Sequence, residues 1–111
     1  MNVETSYTGS TAVAAVSGRV DSANAKSFEE ELSAVIDRGA TGLVVDCGEL
    51  NYISSAGLRV FLIAIRKTSA GGGGLALCRV PEHIQEVLEI SGFSRLTKIF
   101  PTVEEARDSF G

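Results

Sequence analysis

Two adjacent serines, Ser54 and Ser55, are the side chains in this sequence that are best placed to take part in chemistry. They lie between an apolar run typical of a strand, residues 43–45, and a run with helical spacing that begins at Leu58. They therefore fall at the start of a predicted helix, where backbone N–H groups have no helical partner and the helix dipole is positive. A hydroxyl at such a position can cap the helix, act as a nucleophile or carry a phosphate.

The residues around these serines do not favour catalysis. Ser55 lacks the G-x-S-x-G pattern of a strained nucleophile elbow. His83, the only histidine, falls in the first turn of a helix predicted to begin at Pro81, where a surface position is expected. The glycines at 71–74 lack the Gly-Lys-Ser/Thr ending of a phosphate-binding loop and precede a strand. We therefore expect no enzyme, no cofactor and no metal site.

Composition and charge narrow the class of protein. The chain has 111 residues, of which 44% are hydrophobic and 22% charged, as in a single soluble domain spanning residues 1–111. A net charge of −4 with scattered basic residues argues against binding to nucleic acid. No apolar run is long enough to span a membrane, and no secretory signal is recognisable. Cys47 and Cys78 are expected to be buried, reduced thiols in a cytoplasmic protein.

Hydrophobic periodicity predicts the order of secondary structure. An N-terminal hairpin turns at residues 8–10, and strands follow at 43–47, 75–78 and 97–100. Amphipathic helices alternate with these strands, and a capping box at Thr102 starts the last helix. The order ββαβαβαβα predicts a single α/β domain with about four helices. Its mixed, mostly parallel sheet carries an antiparallel hairpin at the N-terminus.

Two aspartates are further candidates for function. Asp21 lies in a loop predicted at residues 18–22, and Asp46 is placed near the end of a predicted strand. Each carboxylate can have a purely structural role, as a helix cap or a polar strand end. Alternatively, both lie on the rim that carries the serine turn, because functional loops gather at the carboxyl ends of parallel strands.

Several segments together resemble the STAS domains of bacterial anti-sigma factor antagonists. The core of the resemblance is Leu-Val-Val-Asp at residues 43–46, followed by Leu-Asn-Tyr-Ile-Ser-Ser-Ala-Gly-Leu at residues 50–58. Residues 18–25, 91–93 and 99–106 are similar to further family segments in the same order, so the resemblance covers nearly the whole chain. It implies a STAS-like fold.

The resemblance also implies a partner switch. The unphosphorylated antagonist would bind a GHKL-type serine kinase that acts as the anti-sigma factor, and a sigma factor would be released. Phosphorylation in the serine turn would end binding, and a PP2C-type phosphatase would reverse it. Many family members carry the modified hydroxyl directly before the glycine, a position that is Ala56 here. Ser55 is therefore the expected site, with Ser54 as the fallback.

The surface that contacts the partner is expected to surround this turn. Its predicted members are Asp21, Ser54, Ala56, Gly57, Leu58 and Val60. Two alternatives remain open. The same switch can control a target other than a sigma factor, and a STAS domain can also sense a small ligand or nucleotide.

Overall fold

The computed structural model of the protein describes residues 1–110, which form a five-stranded sheet and four α-helices. The strands are β1 (Asn2–Thr8), β2 (Thr11–Val20), β3 (Gly42–Ile53), β4 (Gly74–Cys78) and β5 (Lys98–Phe100). The helices are α1 (Ala25–Asp37), α2 (Ser55–Ala70), α3 (Glu82–Ile90) and α4 (Val103–Asp108). The predicted order ββαβαβαβα is confirmed, with one unpredicted 3-10 turn, Phe93–Arg95.

The strands lie side by side in the order of the sequence. β1 pairs antiparallel with β2, and β2 to β5 are parallel to one another. Crossovers between parallel strands are right-handed and here all step in the same direction, so α1, α2 and α3 lie on one face. The main core on this face includes three phenylalanine rings. The Phe61 ring lies edge-on to Phe28 at 5.8 Å and tilted to Phe93 at 6.2 Å, measured between ring centroids.

The opposite face of the sheet is covered by the short helix α4. Ala106 of this helix packs against Val13 and Val44 in a second, smaller core. Thr102 caps the helix by accepting a hydrogen bond from the Glu105 N–H at 3.1 Å, as its sequence predicts. Because α4 has only six residues, the part of this face near the carboxyl ends of the strands carries partly exposed polar side chains.

Two strands are longer than the sequence predicts. The loop expected at residues 18–22 begins only after Val20, and β3 continues to Ile53 instead of ending at Cys47. The two extensions pair with each other after shifts of register, with Val20 opposite Ile53. Their polar side chains on the open face keep contact with water, so a strand forms there without burying charge. The predicted strand end near Asp46 is therefore wrong, and this residue lies inside β3.

Both cysteines are buried and free, as predicted. They lie on neighbouring strands but on opposite faces, with Cys47 in the main core and Cys78 in the smaller one. Burial raises the pKa of both thiols, to about 12 for Cys78, and the Asp46 carboxylate adds to the effect. Both thiols are therefore protonated and unreactive at neutral pH.

Candidate functional site

The serine turn lies where β3 leaves the sheet, beside the end of β2. The Ser54 N–H donates to the Val20 carbonyl at 2.9 Å, which adds one hydrogen bond beyond the strand pairing. The chain then enters α2 with Ser54 as the N-cap residue, in an extended conformation with φ −88° and ψ 174°. The end of β2 thus fixes where α2 begins, and the ends of β2 and β3 share one rim with the turn.

The two serines have different environments. Ser54 is partly buried, and its Oγ accepts a hydrogen bond from the Gly57 N–H at 3.2 Å. Ser55 is the first residue of α2, and it is exposed. The first turn of α2 has no acidic side chain, so the positive end of the helix dipole is not neutralised locally. The turn therefore presents two hydroxyls at a helix N-terminus: that of Ser54 caps the helix, and that of Ser55 belongs to an exposed residue.

The other residues predicted to contact a partner differ in exposure. Gly57 is buried, and a Cβ at this position would lie 2.7 Å from the Ile53 Cγ1 atom. Close packing inside the domain therefore accounts for this glycine without a partner. Val60 is also buried, with 3% of its surface exposed, whereas Ala56 and Leu58 are partly exposed. Asp21 and Ser54 are partly exposed as well, so the buried members of the predicted set are Gly57 and Val60.

Asp21 closes the turn between β2 and α1. Its Oδ1 accepts hydrogen bonds from the N–H groups of Ala23 at 3.0 Å and Asn24 at 3.3 Å. In return, Asn24 Oδ1 accepts a hydrogen bond from the Asp21 N–H at 2.9 Å. Asn24 Nδ2 also donates to the Arg19 carbonyl at 2.9 Å. This reciprocal pairing resembles a capping box, so Asp21 has a structural role in the start of α1.

Two contacts beside the turn have no signal in the sequence. The Arg19 guanidinium lies 4.4 Å from the centre of the Tyr52 ring, a cation–π contact between paired residues of β2 and β3. His83 is exposed, as predicted, but its Nε2 lies 2.7 Å from the Asn51 carbonyl oxygen. This hydrogen bond ties the first turn of α3 to the segment that leads into the serine turn. Each contact depends on a strand extension that periodicity does not reveal.

A groove of about 420 Å³ lies between α1 and α2. Apolar side chains and charges of both signs line it: Ser22, Ala25, Lys26, Glu29, Glu30, Ala56, Arg59, Val60 and Ile63. Two of the predicted partner contacts, Ala56 and Val60, are among these residues. Because Ala56 directly follows Ser55, the groove begins beside the exposed hydroxyl.

Asp46 does not join this rim. Its Oδ2 forms an ion pair with Arg79 Nη1 at 3.1 Å, and its Oδ1 accepts a hydrogen bond from the Gly48 N–H at 3.0 Å. Arg79 has a positive φ of 53°, which is unusual for a residue with a side chain. The Arg79 guanidinium packs directly against Gly48. A Cβ at position 48 would lie only 2.5 Å from Arg79 Cζ, so the glycine leaves room for this side chain. The Asp46 carboxylate therefore has a structural role between β3 and β4.

Across residues 1–110, no cluster of three or more His, Cys, Asp or Glu side chains is arranged to hold a metal ion. In the same part of the chain, no helix combines the length and apolar character needed to cross a membrane.

Comparison with known proteins establishes the family. A family model described as the STAS domain matches residues 2–106. The chain therefore belongs to the STAS domain family, and the resemblance seen around the serine turn is confirmed.

Relatives and solved structures agree with this assignment. BtrV of Bordetella bronchiseptica, provisionally named an anti-sigma factor antagonist, is 43% identical over 98 residues, 88% of this chain and 84% of that protein. TM1081 of Thermotoga maritima, with the same provisional name, has a crystal structure that matches with a TM-score of 0.91. Its identity is 20%, and the match covers 97% of this chain and 93% of that one.

A third similar protein, SpoIIAA, has solved structures in two states. The unphosphorylated form of this anti-sigma factor antagonist matches with a TM-score of 0.83, at 24% identity, over 97% of this chain and 95% of that one. The phosphorylated form of SpoIIAA, a Bacillus cell fate determinant, matches with a TM-score of 0.75 at 24% identity, over 97% of this chain and 98% of that one. At these identities, the structural matches establish a common fold.

Proposed function

We propose that this protein is an anti-sigma factor antagonist whose partner binding is ended by phosphorylation of Ser55. The unphosphorylated form binds a GHKL-type serine kinase that is also the anti-sigma factor, and the sigma factor is released. The kinase transfers the γ-phosphoryl group of ATP to the Ser55 hydroxyl, ADP leaves and the complex dissociates. A PP2C-type phosphatase then restores the hydroxyl by hydrolysis. The names of BtrV and of the two SpoIIAA forms support this assignment.

The observation that carries the choice of serine is the difference between Ser54 and Ser55. The Ser54 Oγ is partly buried and accepts a hydrogen bond from the Gly57 N–H. A phosphate on Ser54 would therefore disturb the hydrogen bond that caps α2. The Ser55 hydroxyl is exposed at the first position of α2. Phosphorylation of Ser55 therefore needs no rearrangement of the cap or the core.

The fold can accommodate the added charge at Ser55. A phosphoserine carries about −1.5 to −2 charges at neutral pH. Here it would lie at the positive end of the α2 dipole, where no acidic side chain competes. Arg59 follows Ser55 by four positions on α2, so its guanidinium is on the same side of the helix. The modified protein should therefore keep its structure, which leaves the partner interface as the place where phosphate acts.

The groove between α1 and α2 gives the partner a surface to bind. Ala56 and Val60 line the groove and Leu58 lies on the same first turn, so an apolar side chain of the kinase can pack beside Ser55. Closing this interface over a phosphate would remove water from a group with about −1.5 to −2 charges, which the single positive charge of Arg59 on the same side of the helix does not balance. A loss of about 4 kcal/mol weakens binding about a thousandfold, which one desolvated phosphate can supply.

The test compares four baits in native cell extract with ATP: wild type, Ser55→Ala, Ser55→Glu and Ser54→Glu. Wild type should first capture a GHKL-type kinase and then release it as the turn is phosphorylated, and peptide mass spectrometry should find the phosphate on Ser55. Ser55→Ala should retain the kinase without being modified, and Ser55→Glu should lose it. Ser54→Glu carries the same charge one residue away and should retain kinase binding if it remains folded.

The contradicting outcomes are distinct. Kinase capture by folded Ser55→Glu at the wild-type level would overturn the switch at this residue. Phosphate on Ser54 would move the site to the neighbouring serine. A captured kinase that does not bind a sigma factor would assign the switch to another target.

A further inference from the structure

The two edges of the sheet differ in their protection against pairing with another strand. β5 has three residues, starts with Lys98 and is followed by Pro101, and shortness, lysine and proline all discourage pairing. β1 has seven residues, no lysine and no proline, and it pairs with β2 without a shift of register. Six of its seven residues are exposed. β1 is therefore a long, regular edge with unused capacity for hydrogen bonding.

The hairpin turn determines which backbone groups face this free edge. Residues 9–10 form a two-residue turn, and such a turn closes on a hydrogen-bonded pair, here Thr8 with Thr11. Hydrogen-bonded and non-hydrogen-bonded pairs alternate along an antiparallel ladder. Three residues of β1 therefore direct their N–H and C=O groups away from β2: Val3, Thr5 and Tyr7.

We infer that the β1 edge pairs with the β1 edge of a second copy of this chain, antiparallel and centred on Thr5. Thr5 then lies opposite its counterpart and Val3 opposite Tyr7, which forms about six backbone hydrogen bonds, two for each pair. Thr–Thr pairs and pairs of an aromatic with a β-branched residue stabilise antiparallel strands. Glu4, the only charged residue of β1, lies opposite Ser6, so no like charges face each other.

Helix α1 adds charge complementarity to this register. α1 and β1 run in the same direction, because both are antiparallel to β2, and the Arg38 guanidinium lies 5.1 Å from the centre of the Tyr7 ring. Side chains of β1 and α1, among them Tyr7, Arg38 and Glu31, line a shallow recess between the two elements. Glu31 lies about two helical turns before Arg38, beside the Val3 end of the strand. In this register Val3 of one copy faces Tyr7 of the other. Glu31 of each copy is therefore at the same end of the strand pair as Arg38 of the other copy, and the two opposite charges face each other. A second copy therefore fits this edge in both backbone pairing and charge.

The test is sedimentation velocity of the full chain over a concentration series that reaches about 1 mM, where even weak dimers are measurable. Wild type should form a dimer that increases with concentration. Thr5→Pro removes an outward N–H but no hydrogen bond to β2, so it should abolish the dimer while thermal unfolding stays cooperative. The matched control, Thr5→Val, keeps the N–H and should dimerise like wild type.

A charge exchange tests the register independently of proline. Arg38→Glu should weaken the dimer by about tenfold or more, since like charges then face each other across the pair. The double variant Glu31→Arg with Arg38→Glu should restore it. A wild type that stays monomeric over the whole series would overturn the inference. So would a dimer that is unchanged by both Thr5→Pro, if this variant folds, and Arg38→Glu.

Discussion

The Ser54 Oγ accepts the Gly57 N–H at 3.2 Å, and this single hydrogen bond separates the roles of two neighbouring serines. The same Gly57 has no space for a Cβ beside Ile53, so the first turn of α2 is fixed both by its cap and by its packing. Ser55 projects from this fixed turn into solvent. In the proposed mechanism, a phosphate on Ser55 therefore acts on a rigid surface and changes binding without changing the fold.

The first prediction concerns the cap. Ser54→Ala should lower the free energy of unfolding by about 1 kcal/mol, because the Gly57 N–H loses its acceptor. Ser55→Ala should change it by less than about 0.5 kcal/mol, as is usual for an exposed side chain without such a contact. Urea titrations of both variants measure the difference. Equal losses would mean that Ser55 shares the capping role.

The second prediction concerns the packing of the same turn. Gly57→Ala should destabilise the protein by about 1–3 kcal/mol, because its Cβ would lie 2.7 Å from Ile53 Cγ1 and 2.8 Å from Val20 Cγ1. Gly71→Ala is the matched control, since the nearest atom to its Cβ is 3.6 Å away and its φ of −84° suits any residue. Differential scanning calorimetry compares the two. A Gly57→Ala variant as stable as Gly71→Ala would show that the turn can shift.

Most of the fold could be predicted from the sequence, because each element carries its own periodic signal. The apolar residues of α1 recur at helical spacing, and four of them are buried: Ala25, Phe28, Leu32 and Val35. Thr102 caps α4, as its spacing from Glu105 predicts. The alternation of such helices with strands then leaves few ways to connect a parallel sheet.

The site was only partly predictable, because its surroundings depend on tertiary pairing. Beyond Cys47, β3 contains the polar residues Glu49 and Asn51. From the sequence alone these residues indicate a loop, because the sequence does not show that one face of the sheet is open to water there. The Arg19–Tyr52 contact exists only because the strand extensions pair with a shifted register. The position of the serines at the start of α2, by contrast, followed from local signals alone.

The third prediction concerns the buried thiols and pH. Burial raises the pKa of Cys78 from its ordinary value of about 9 to about 12 in the folded protein. Above about pH 9 the unfolded chain loses this proton while the folded protein keeps it, so stability should fall as the pH rises from about 9 towards 12. Cys47 is shifted in the same direction. Urea midpoints between pH 8 and 10.5 measure the slope.

The control for the thiols is the double variant Cys47→Ala with Cys78→Ala, which retains every other alkaline group. Its absolute stability should be lower because of lost packing, but its dependence on pH should be shallower than that of wild type. An unchanged slope would show that the two thiols do not cause the alkaline loss of stability.

The fourth prediction uses the backbone of Arg79, whose φ of 53° is unfavourable for any residue with a Cβ. Arg79→Ala and Arg79→Gly both remove the ion pair with Asp46, which is partly exposed and contributes at most about 1 kcal/mol. Only glycine, which lacks a Cβ, adopts a positive φ without strain. Arg79→Gly should therefore be more stable than Arg79→Ala by about 1 kcal/mol. Urea denaturation of the two variants isolates this difference, because the lost side-chain contacts nearly cancel in the comparison. If alanine equals or exceeds glycine, the left-handed conformation is not retained once the arginine side chain is gone.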